Sequence, residues 1–336
     1  MVLTEFGPAL AGRRRVIFIG NHASPRLTRR VSENKNNLSI PASLLLVVLL
    51  WGGNNVGTKL LLMHAWPPIW TGGVRFLFAG FILLAVLRFT NLLGEFHPLK
   101  SAQRRQLWLR GGLGLAAYTV VFCWALRLTA ASHVALYIGA SPVWSLLAEQ
   151  RPQKNWSSVR RYGAALLAVA GVLVLFWPAL KTTSFSLAGE GCGLGSSLLW
   201  ANYNHQSRIL ARTIHGVEVA ANSMWMSGVL LLPLALVEIY PRGIVLDAAH
   251  LGVQSLNILL GSVVAYALWN TALRHWRTSR VMLFNNAIPL STALWAHFCL
   301  GEPITSTFCL AMILIVTGVL IGQTEIEKLF RPTEKS

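Results

Sequence analysis

The stretch ALRLTAASHVALYIGASP, from Ala125 to Pro142, returns 147 residues later as ALRHWRTSRVMLFNNAIP, from Ala272 to Pro289. The two copies align without a gap and share Ala-Leu-Arg at the start, Ser, Val and Leu within, and Pro at the end. The same shift places Gly171-Val172-Leu173 on Gly318-Val319-Leu320. A match that stays in phase this far along the chain indicates an internal repeat. Because both copies lie in apolar sequence, the repeated unit is predicted to be a membrane unit.

The composition also indicates a membrane protein. Of the 336 residues 54% are hydrophobic and only 12% are charged, with a mean hydropathy of +0.53. A soluble domain carries about twice that charged fraction. The net charge is +17, but the basic residues lie between apolar runs, where they set orientation and attract anionic lipid. The predicted partner is therefore the lipid bilayer, and no nucleic acid is expected because no basic helix of a soluble domain carries base-reading side chains.

Ten runs are long and apolar enough to be transmembrane helices. A helix needs about 20 apolar residues to cross the hydrocarbon core, and only helices satisfy the backbone of such a single run there. The predicted fold class is an all-α integral membrane protein with ten transmembrane helices. The predicted runs are Ala42–Met63, Ile69–Leu87, Leu107–Leu126, Ala131–Ala148, Tyr162–Leu180, Leu187–Ile209, Val217–Ile239, Leu251–Leu268, Val281–Leu300 and Thr305–Ile321.

The repeat divides the runs into two units of five helices. We predict a polar N-terminal tail over residues 1–41, a first unit over 42–181, a second over 187–321, and a C-terminal tail over 322–336. Alternate loops and the tails hold 24 of the 29 basic residues. The positive-inside rule therefore places both termini in the cytoplasm.

An odd number of helices in each unit makes the two units cross the membrane in opposite directions. Inverted repeats related by a pseudo-two-fold axis in the membrane plane are the architecture of secondary transporters, with the substrate site near the midplane between the repeats. A channel or an intramembrane enzyme could also be duplicated, so this pattern favours transport without settling it.

Several motifs resemble one transporter family. Trp51-Gly52-Gly53-Asn54-Asn55 resembles the first helix of the drug/metabolite transporter superfamily, EamA type, Arg75-Phe76 its second helix, and Gly301-Glu302-Pro303 the Gly-Glu motif after its ninth helix. The resemblance covers about residues 42–321. Within the family, Trp200-Ala201 and the stretch from Ala265 to Asn270 are most similar to YddG-type amino acid exporters. The resemblance implies ten helices, cytoplasmic termini and amino acid export across a bacterial inner membrane.

Polar and aromatic residues on shared helix faces are the candidates for substrate binding. Trp51, Asn54 and Asn55 have i, i+3, i+4 spacing, and similar faces occur in the sixth and eighth runs. Asparagine offers donors and acceptors to an amino acid zwitterion, and aromatic faces hold an ammonium group. Such residues also serve as interfacial anchors or link neighbouring helices. The candidates are Trp51, Asn54, Asn55, Tyr118, Tyr137, Ser141, Trp200, Tyr203, Tyr266, Trp269, Asn270 and Asn285.

Charged groups within the runs bear on energy coupling. Arg75 lies inside a run, which suggests a functional role, although a structural pair or a snorkelling side chain is an equal alternative. No Asp or Glu lies in the middle of a run, and Glu190 is placed at a helix end. This pattern disfavours a proton antiporter that uses a buried carboxylate, and it leaves His133 and His297 as candidates for a proton or gating role.

The predicted function is secondary transport by alternating access. The chain contains no phosphate-binding glycine loop, HExxH or CxxC, so we predict neither an enzyme nor an ATP-driven pump, and no cofactor or metal site. The predicted activity is export of aromatic or other neutral amino acids by a monomer, with uniport as the simplest mode. The alternatives are a proton-coupled antiporter, an exporter of another metabolite or drug, and, from a different class, a passive pore or a non-transporting receptor.

Overall fold

The computed structural model describes residues 26–90, 92–93, 96–144, 156–181, 186–241, 243–275, 281 and 283–323, and every regular element in them is helical. The contacts divide the chain into residues 1–39 and a compact unit from Ile40 onward. In chain order the helices are α1 (Arg26–Met63), α2 (Pro68–Phe89), α3 (Ser101–Leu128), α4 (Ala131–Gly139), α5 (Trp156–Lys181), α6 (Leu187–Leu210), α7 (Gly216–Ile239), α8 (Ala248–Leu256, Asn257–Val264 and Ala265–His275, continuous), α9 (Ile288–Leu300, after a 3₁₀ turn Leu283–Ala287) and α10 (Ser306–Gln323).

Each of the ten predicted runs overlaps one of these helices, and the chain is a multi-pass, all-helical membrane protein. Six helices in the described residues are long and apolar enough to cross a membrane, and Ser306–Ile321 is a shorter apolar helix. The six are Ile40–Met63, Pro68–Phe89, Ser101–Leu128, Ser158–Leu175, Gly216–Ile239 and Ala248–Ala272. The start of α1 differs from the prediction, because the helix begins at Arg26 and continues through Pro41. Residues 1–25 and 324–336, which hold most of both predicted tails, lie outside the described residues.

The two prolines of the repeated stretch interrupt their helices. α4 ends at Gly139, before a further helical segment over residues 141–144 that contains Pro142. In the predicted run Val281–Leu300, a 3₁₀ turn over Leu283–Ala287 likewise precedes the α-helix that begins at Ile288, next to Pro289. Proline lacks the N–H that a continuous helix requires, so its ring marks a break in both copies. Both breaks lie beside the central cavity.

Most helices have their main packing partner in the other predicted five-helix unit, where the two units are residues 42–181 and 187–321. α2 packs on α7, α5 on α10, α4 on α9 and α3 on α6. α1 packs on α8, where a methyl group on Gly57 would lie 2.6 Å from Asn257 Oδ1 and one on Gly261 would lie 2.6 Å from Asn54 Oδ1. The core is therefore formed by both units together.

The α5–α10 contact is made twice with the partners exchanged. A methyl group on Gly171 would lie 2.9 Å from the carbonyl oxygen of Ala311, and one on Gly318 would lie 2.6 Å from that of Ala164. The shift of 147 residues carries Gly171 to Gly318 and Ala164 to Ala311. Because Ala164 pairs with the later glycine and Ala311 with the earlier one, the two helices run antiparallel at a distance that only glycine permits.

The third helix of each unit contains a π-helical segment. Leu107–Gly112 forms it in α3 and Asn257–Val264 forms it in α8. A π-helical turn accommodates an extra residue and is often found at functional sites. In α8 the segment presents Gly261 to the central cavity.

Candidate functional site

A cavity lies where helices of the two units meet, and it brings together side chains from α1, α2, α3, α4, α6, α8 and the segments around both prolines. Its volume is about 90 Å³, which is room for several water molecules but is smaller than the roughly 300 Å³ at which ligand pockets usually begin. The lining residues are Trp51, Asn54, Asn55, Arg75, Phe76, Tyr118, Phe122, Ala135, Ile138, Gly139, Ser141, Pro142, Trp200, Gly261, Tyr266, Asn285 and Ile288.

Arg75 places a positive charge at the wall of the cavity. The residue is only 4% exposed, its Nη1 donates to Asn54 Oδ1 at 3.0 Å, and its Cζ lies 4.3 Å from the centre of the Phe76 ring. Arg75 Nε has no hydrogen-bond partner in the described part of the chain. The lining residues include no Asp or Glu. A buried guanidinium of this kind favours a bound anion, because an uncompensated charge in low dielectric is costly.

Aromatic rings from α1 and α8 form one side of the cavity. The ring of Trp51 lies 5.5 Å from that of Tyr266 in an edge-on arrangement and 5.1 Å from that of Trp269. Trp51 and Tyr266 line the cavity, whereas Trp269 packs behind Trp51. Asn270 also lies outside the lining, and its Nδ2 donates to the Tyr266 carbonyl oxygen of its own helix at 2.8 Å.

A second aromatic group, from α3 and α6, also adjoins the cavity. The Trp200 ring lies 4.8 Å from that of Tyr118 and 5.5 Å from that of Tyr203, and Tyr118 stacks on Phe122 at 5.3 Å. Tyr203 is buried behind Trp200 and is not part of the lining. The aromatic faces of both groups offer apolar contact to a side chain and cation–π contact to an ammonium group.

Amides and a hydroxyl complete the polar part of the wall. Asn55 Nδ2 donates to Thr292 Oγ1 on α9 at 3.1 Å, which fixes the amide between the two units. Asn285 and Ser141 contribute from the segments beside the two prolines. Amide groups can pair with both the carboxylate and the ammonium of a zwitterion.

Most of the site residues predicted from the sequence meet at this cavity. Those that line it are Trp51, Asn54, Asn55, Arg75, Tyr118, Ser141, Trp200, Tyr266 and Asn285. Tyr203, Trp269 and Asn270 pack behind it. His297 is exposed near the end of α9, where its Nδ1 lies 3.0 Å from the Glu302 carbonyl oxygen. The apolar lining residues, such as Phe122 and Ile138, were not predicted, because an apolar residue in an apolar run carries no signal that separates a cavity wall from a core.

Tyr137 and His133 point away from the cavity to a buried carboxylate. Tyr137 Oη donates to Glu190 Oε2 at 2.7 Å, and His133 Nδ1 lies 2.9 Å from Glu190 Oε1. Thr129 Oγ1 also donates to Glu190 Oε1, and Glu190 is 0% exposed. The predicted placement of Glu190 at a helix end agrees with the structure, and the carboxylate is nevertheless buried. Glu190 does lie in the first turn of α6, but neighbouring helices cover it.

The glycines beside Glu190 explain this burial. A methyl group on Gly189 would lie 2.8 Å from the backbone carbon of Leu128, and one on Gly193 would lie 3.0 Å from Tyr137 Cε2. Because neither residue has a side chain, the α3–α4 connection and the Tyr137 ring lie directly on α6 and exclude water from the carboxylate.

Comparison with known proteins identifies the family. The model of the EamA-like transporter family matches residues 39–177 and again residues 187–322. A protein of Salmonella typhimurium named "Probable amino-acid metabolite efflux pump" is 25% identical over 291 residues, which cover 83% of this chain and 92% of that protein. An uncharacterized transporter of Archaeoglobus fulgidus is 24% identical over 83% of this chain and 95% of its own length.

Two further similarities agree with this result. A "Probable terminal-alkyne amino-acid exporter" of Streptantibioticus cattleyicolor is 27% identical over 202 residues, which cover 58% of this chain and 64% of that protein. A crystal structure with 17% sequence identity superposes with a TM-score of 0.56 and covers 87% of this chain and 99% of its own, a likeness of fold alone. The resemblance seen in the sequence motifs is thus confirmed: the chain belongs to the EamA-like transporters of the drug/metabolite transporter superfamily, and it is a transporter and not an enzyme.

Proposed function

We propose that this protein exports amino acids across a bacterial inner membrane by alternating access. The observation that carries the proposal is Arg75, a buried guanidinium at the cavity with no carboxylate in the described lining. The α-carboxylate of a bound substrate would supply the opposite charge and accept charge-assisted hydrogen bonds from the guanidinium. The names of the relatives in Salmonella typhimurium and Streptantibioticus cattleyicolor support both the substrate class and the direction.

The rest of the wall suits a neutral amino acid. The ammonium group would lie against the aromatic faces of Trp51, Tyr266 or Trp200 and donate hydrogen bonds to amide oxygens. Because the described lining has no carboxylate, a basic substrate side chain would find no opposite charge. An apolar or aromatic side chain would instead pack on rings that already form the wall. We therefore expect aromatic and other neutral amino acids to be preferred over lysine or arginine.

We further propose ten transmembrane helices in two inverted repeats, with both termini in the cytoplasm and a monomer as the working unit. The antiparallel α5–α10 contact, which is repeated with its partners exchanged, supports the inverted relation. The packing of α1 on α8 supports it as well. Here the first helix of one unit packs on the third helix of the other, and α6 packs on α3 in the same way with the units exchanged. A cavity of about 90 Å³ would have to widen to admit an amino acid, and rocking of one helix bundle, made of helices from both units, against another would widen it.

A transport assay tests the substrate class. The purified protein in liposomes is expected to take up radiolabelled neutral amino acids saturably, and unlabelled amino acids should compete. Methyl esters of the same amino acids are the matched control, because they keep the ammonium and the side chain but lack the carboxylate that Arg75 would bind. Esters that compete as well as the free acids would contradict the role of Arg75. Uptake of nucleosides or drugs, with none of amino acids, would assign the cavity to another substrate class, and unsaturable flux would indicate a pore.

Cysteine labelling tests the orientation. Lys181 ends α5 and is predicted to lie outside the cell, whereas Lys154, in the basic loop before α5, is predicted to lie inside. In a background without the exposed Cys299, Lys181→Cys is expected to react with an impermeant maleimide added to intact cells. Lys154→Cys should react only after the membrane is permeabilised. The opposite pattern would reverse the proposed topology.

A further inference from the structure

The carboxylate of Glu190 is the centre of a polar group that the cavity does not use. This group, here called the Glu190 cluster, consists of Glu190 on α6, Thr129 between α3 and α4, and His133 and Tyr137 on α4. Three side chains direct hydrogen-bonding groups at one carboxylate. None of the four residues lines the cavity. Two of the four residues, His133 and Glu190, are titratable and lie in hydrogen-bond contact.

The pair of His133 and Glu190 can hold either one proton or two. With one proton shared between Nδ1 and Oε1 the pair carries a net charge of −1, and a second proton, on Nε2 or on the carboxylate, makes it neutral. Glu190 is 0% exposed, while 11% of the His133 side chain is exposed, so the imidazole is the more accessible member of the pair. The His133 ring also stacks on the uncharged ring of Phe308 from α10.

The charges around the cluster compensate its negative state. Lys59 on α1 donates from Nζ to the Thr129 carbonyl oxygen at 2.6 Å, and Thr129 in turn contacts Glu190. Arg127 of α3 and Glu302, after α9, both lie within electrostatic range of Lys59. Glu302 also accepts hydrogen bonds from the backbone N–H and the hydroxyl of Ser132, next to His133. Proton binding therefore changes the local charge balance in a region where five helices or their connections meet.

The cluster shares its two helices with the cavity. α4 carries His133 and Tyr137 and also the lining residues Ala135 and Ile138, and α6 carries Glu190 and the lining residue Trp200. Neutralising Glu190 weakens the charge-assisted bonds that hold α4 on α6. A proton at the cluster thus acts on the contact between two walls of the cavity.

We propose that the Glu190 cluster is a proton-binding site whose occupation alternates with that of the cavity, so that the protein exchanges one entering proton for each exported substrate. On the proposed orientation the α3–α4 connection faces the outside, so the proton would bind from the outer water and leave to the cytoplasm as the substrate moves the other way. This inference rests on the proposed transport function. At one proton per substrate, each pH unit across the membrane can support about a tenfold substrate gradient.

Concentrative uptake and exchange, measured on the same liposomes, test the coupling. The wild type is expected to concentrate amino acid in response to a pH gradient and also to exchange labelled for unlabelled substrate with no gradient. Glu190→Gln should keep the exchange and lose the accumulation, because it removes the titrating group without removing the cavity. Glu218→Gln is the matched control: it removes another buried carboxylate, which accepts a hydrogen bond from the His97 backbone N–H outside the cluster, so gradient-driven accumulation should remain. Wild-type flux that ignores the gradient, or a Glu190→Gln variant that still accumulates, would overturn the proposal.

An infrared titration separates this proposal from the transport function itself. Difference spectra of the full-length protein between about pH 5 and pH 8 should contain carboxyl or imidazole bands that are lost in both Glu190→Gln and His133→Gln. If these bands are absent from the wild type, the proton-binding site is rejected even if the protein transports amino acids. Their presence in a protein that transports no amino acid would keep the proton site and reject the substrate class. If Glu190→Gln also loses exchange, His133→Gln is tested in the same two assays.

Discussion

Replacing Arg75 with methionine is expected to weaken amino acid binding by about 10- to 100-fold, the effect of losing a hydrogen-bonded charge worth roughly 1.5–3 kcal/mol. Methionine keeps an unbranched side chain of similar reach but cannot form the charge-assisted bonds to a carboxylate. Arg75→Lys keeps the charge without the planar fork, so its affinity should fall between the two. The measurement is the substrate concentration that half-saturates uptake or exchange.

The control for this substitution is a polar residue of α8 whose side chain bonds the backbone of its own helix and does not line the cavity. Asn270→Ala should leave substrate affinity near that of the wild type, since the amide bonds the Tyr266 carbonyl oxygen and does not line the cavity. A thermal-shift assay adds a readout of binding, because a ligand that binds only the folded protein raises its melting temperature. Arg75→Met should retain its fold and lose that substrate-dependent rise. An unaltered affinity in Arg75→Met would reject the guanidinium as the carboxylate partner.

Replacing Gly318 with alanine is expected to destabilise the protein by about 1–3 kcal/mol, the usual cost of forcing an extra methyl group into a closed contact. The added carbon would lie 2.6 Å from the Ala164 carbonyl oxygen and 2.8 Å from the Ala168 amide nitrogen, both backbone atoms that cannot rotate away. Helices α5 and α10 would have to separate. The detergent-solubilised variant should lose its monodisperse chromatographic peak at a lower temperature than the wild type.

The same pair of helices offers the control. A methyl group on Gly163, also on α5, meets nothing within 4 Å, and alanine is a better helix former than glycine. Gly163→Ala should therefore leave the melting temperature unchanged or raise it slightly, in opposition to Gly318→Ala. Equal melting temperatures for the two variants would mean that α5 and α10 are not in the close antiparallel contact described above.

The helices were predictable because their signal is local. A single apolar run of membrane length can form all its backbone hydrogen bonds in the membrane only as a helix. This constraint can be recognised from the run itself, without knowledge of the rest of the chain. The breaks at Pro142 and Pro289 follow from proline chemistry in the same way. The packing partners of each helix could not be predicted, because the contacts that determine them, such as that of Gly171 with Ala311, join residues far apart in the chain.

The sequence predicted which residues share a helix face, but not which residues of that face line the cavity. Spacing placed Trp51, Asn54 and Asn55 on one side of α1, and all three line the cavity. The same argument on α8 grouped Tyr266 with Asn270, although only Tyr266 lines it. One helical turn advances about 5.4 Å, so residues on a common face can end on different sides of a cavity only several water molecules wide.

Glu190 marks the limit of sequence reasoning most clearly. Its position near the start of an apolar run placed it at a helix end, and this position disfavoured a role as a buried proton carrier. Its burial instead results from Leu128 and Tyr137, which pack on the bare glycines of α6 from another part of the chain. A residue's position in its own helix does not determine what covers it.

The pairing of helices across the two units bears on whether either half of the chain can fold alone. The family model matches each half separately, as expected of a chain that contains the same kind of unit twice. Yet α2, α4 and α5 of one half each have their main partner, α7, α9 and α10, in the other, and a single copy would leave these faces bare. The two halves are therefore expected to be stable only together, so a truncated chain that contains one of them should not fold on its own.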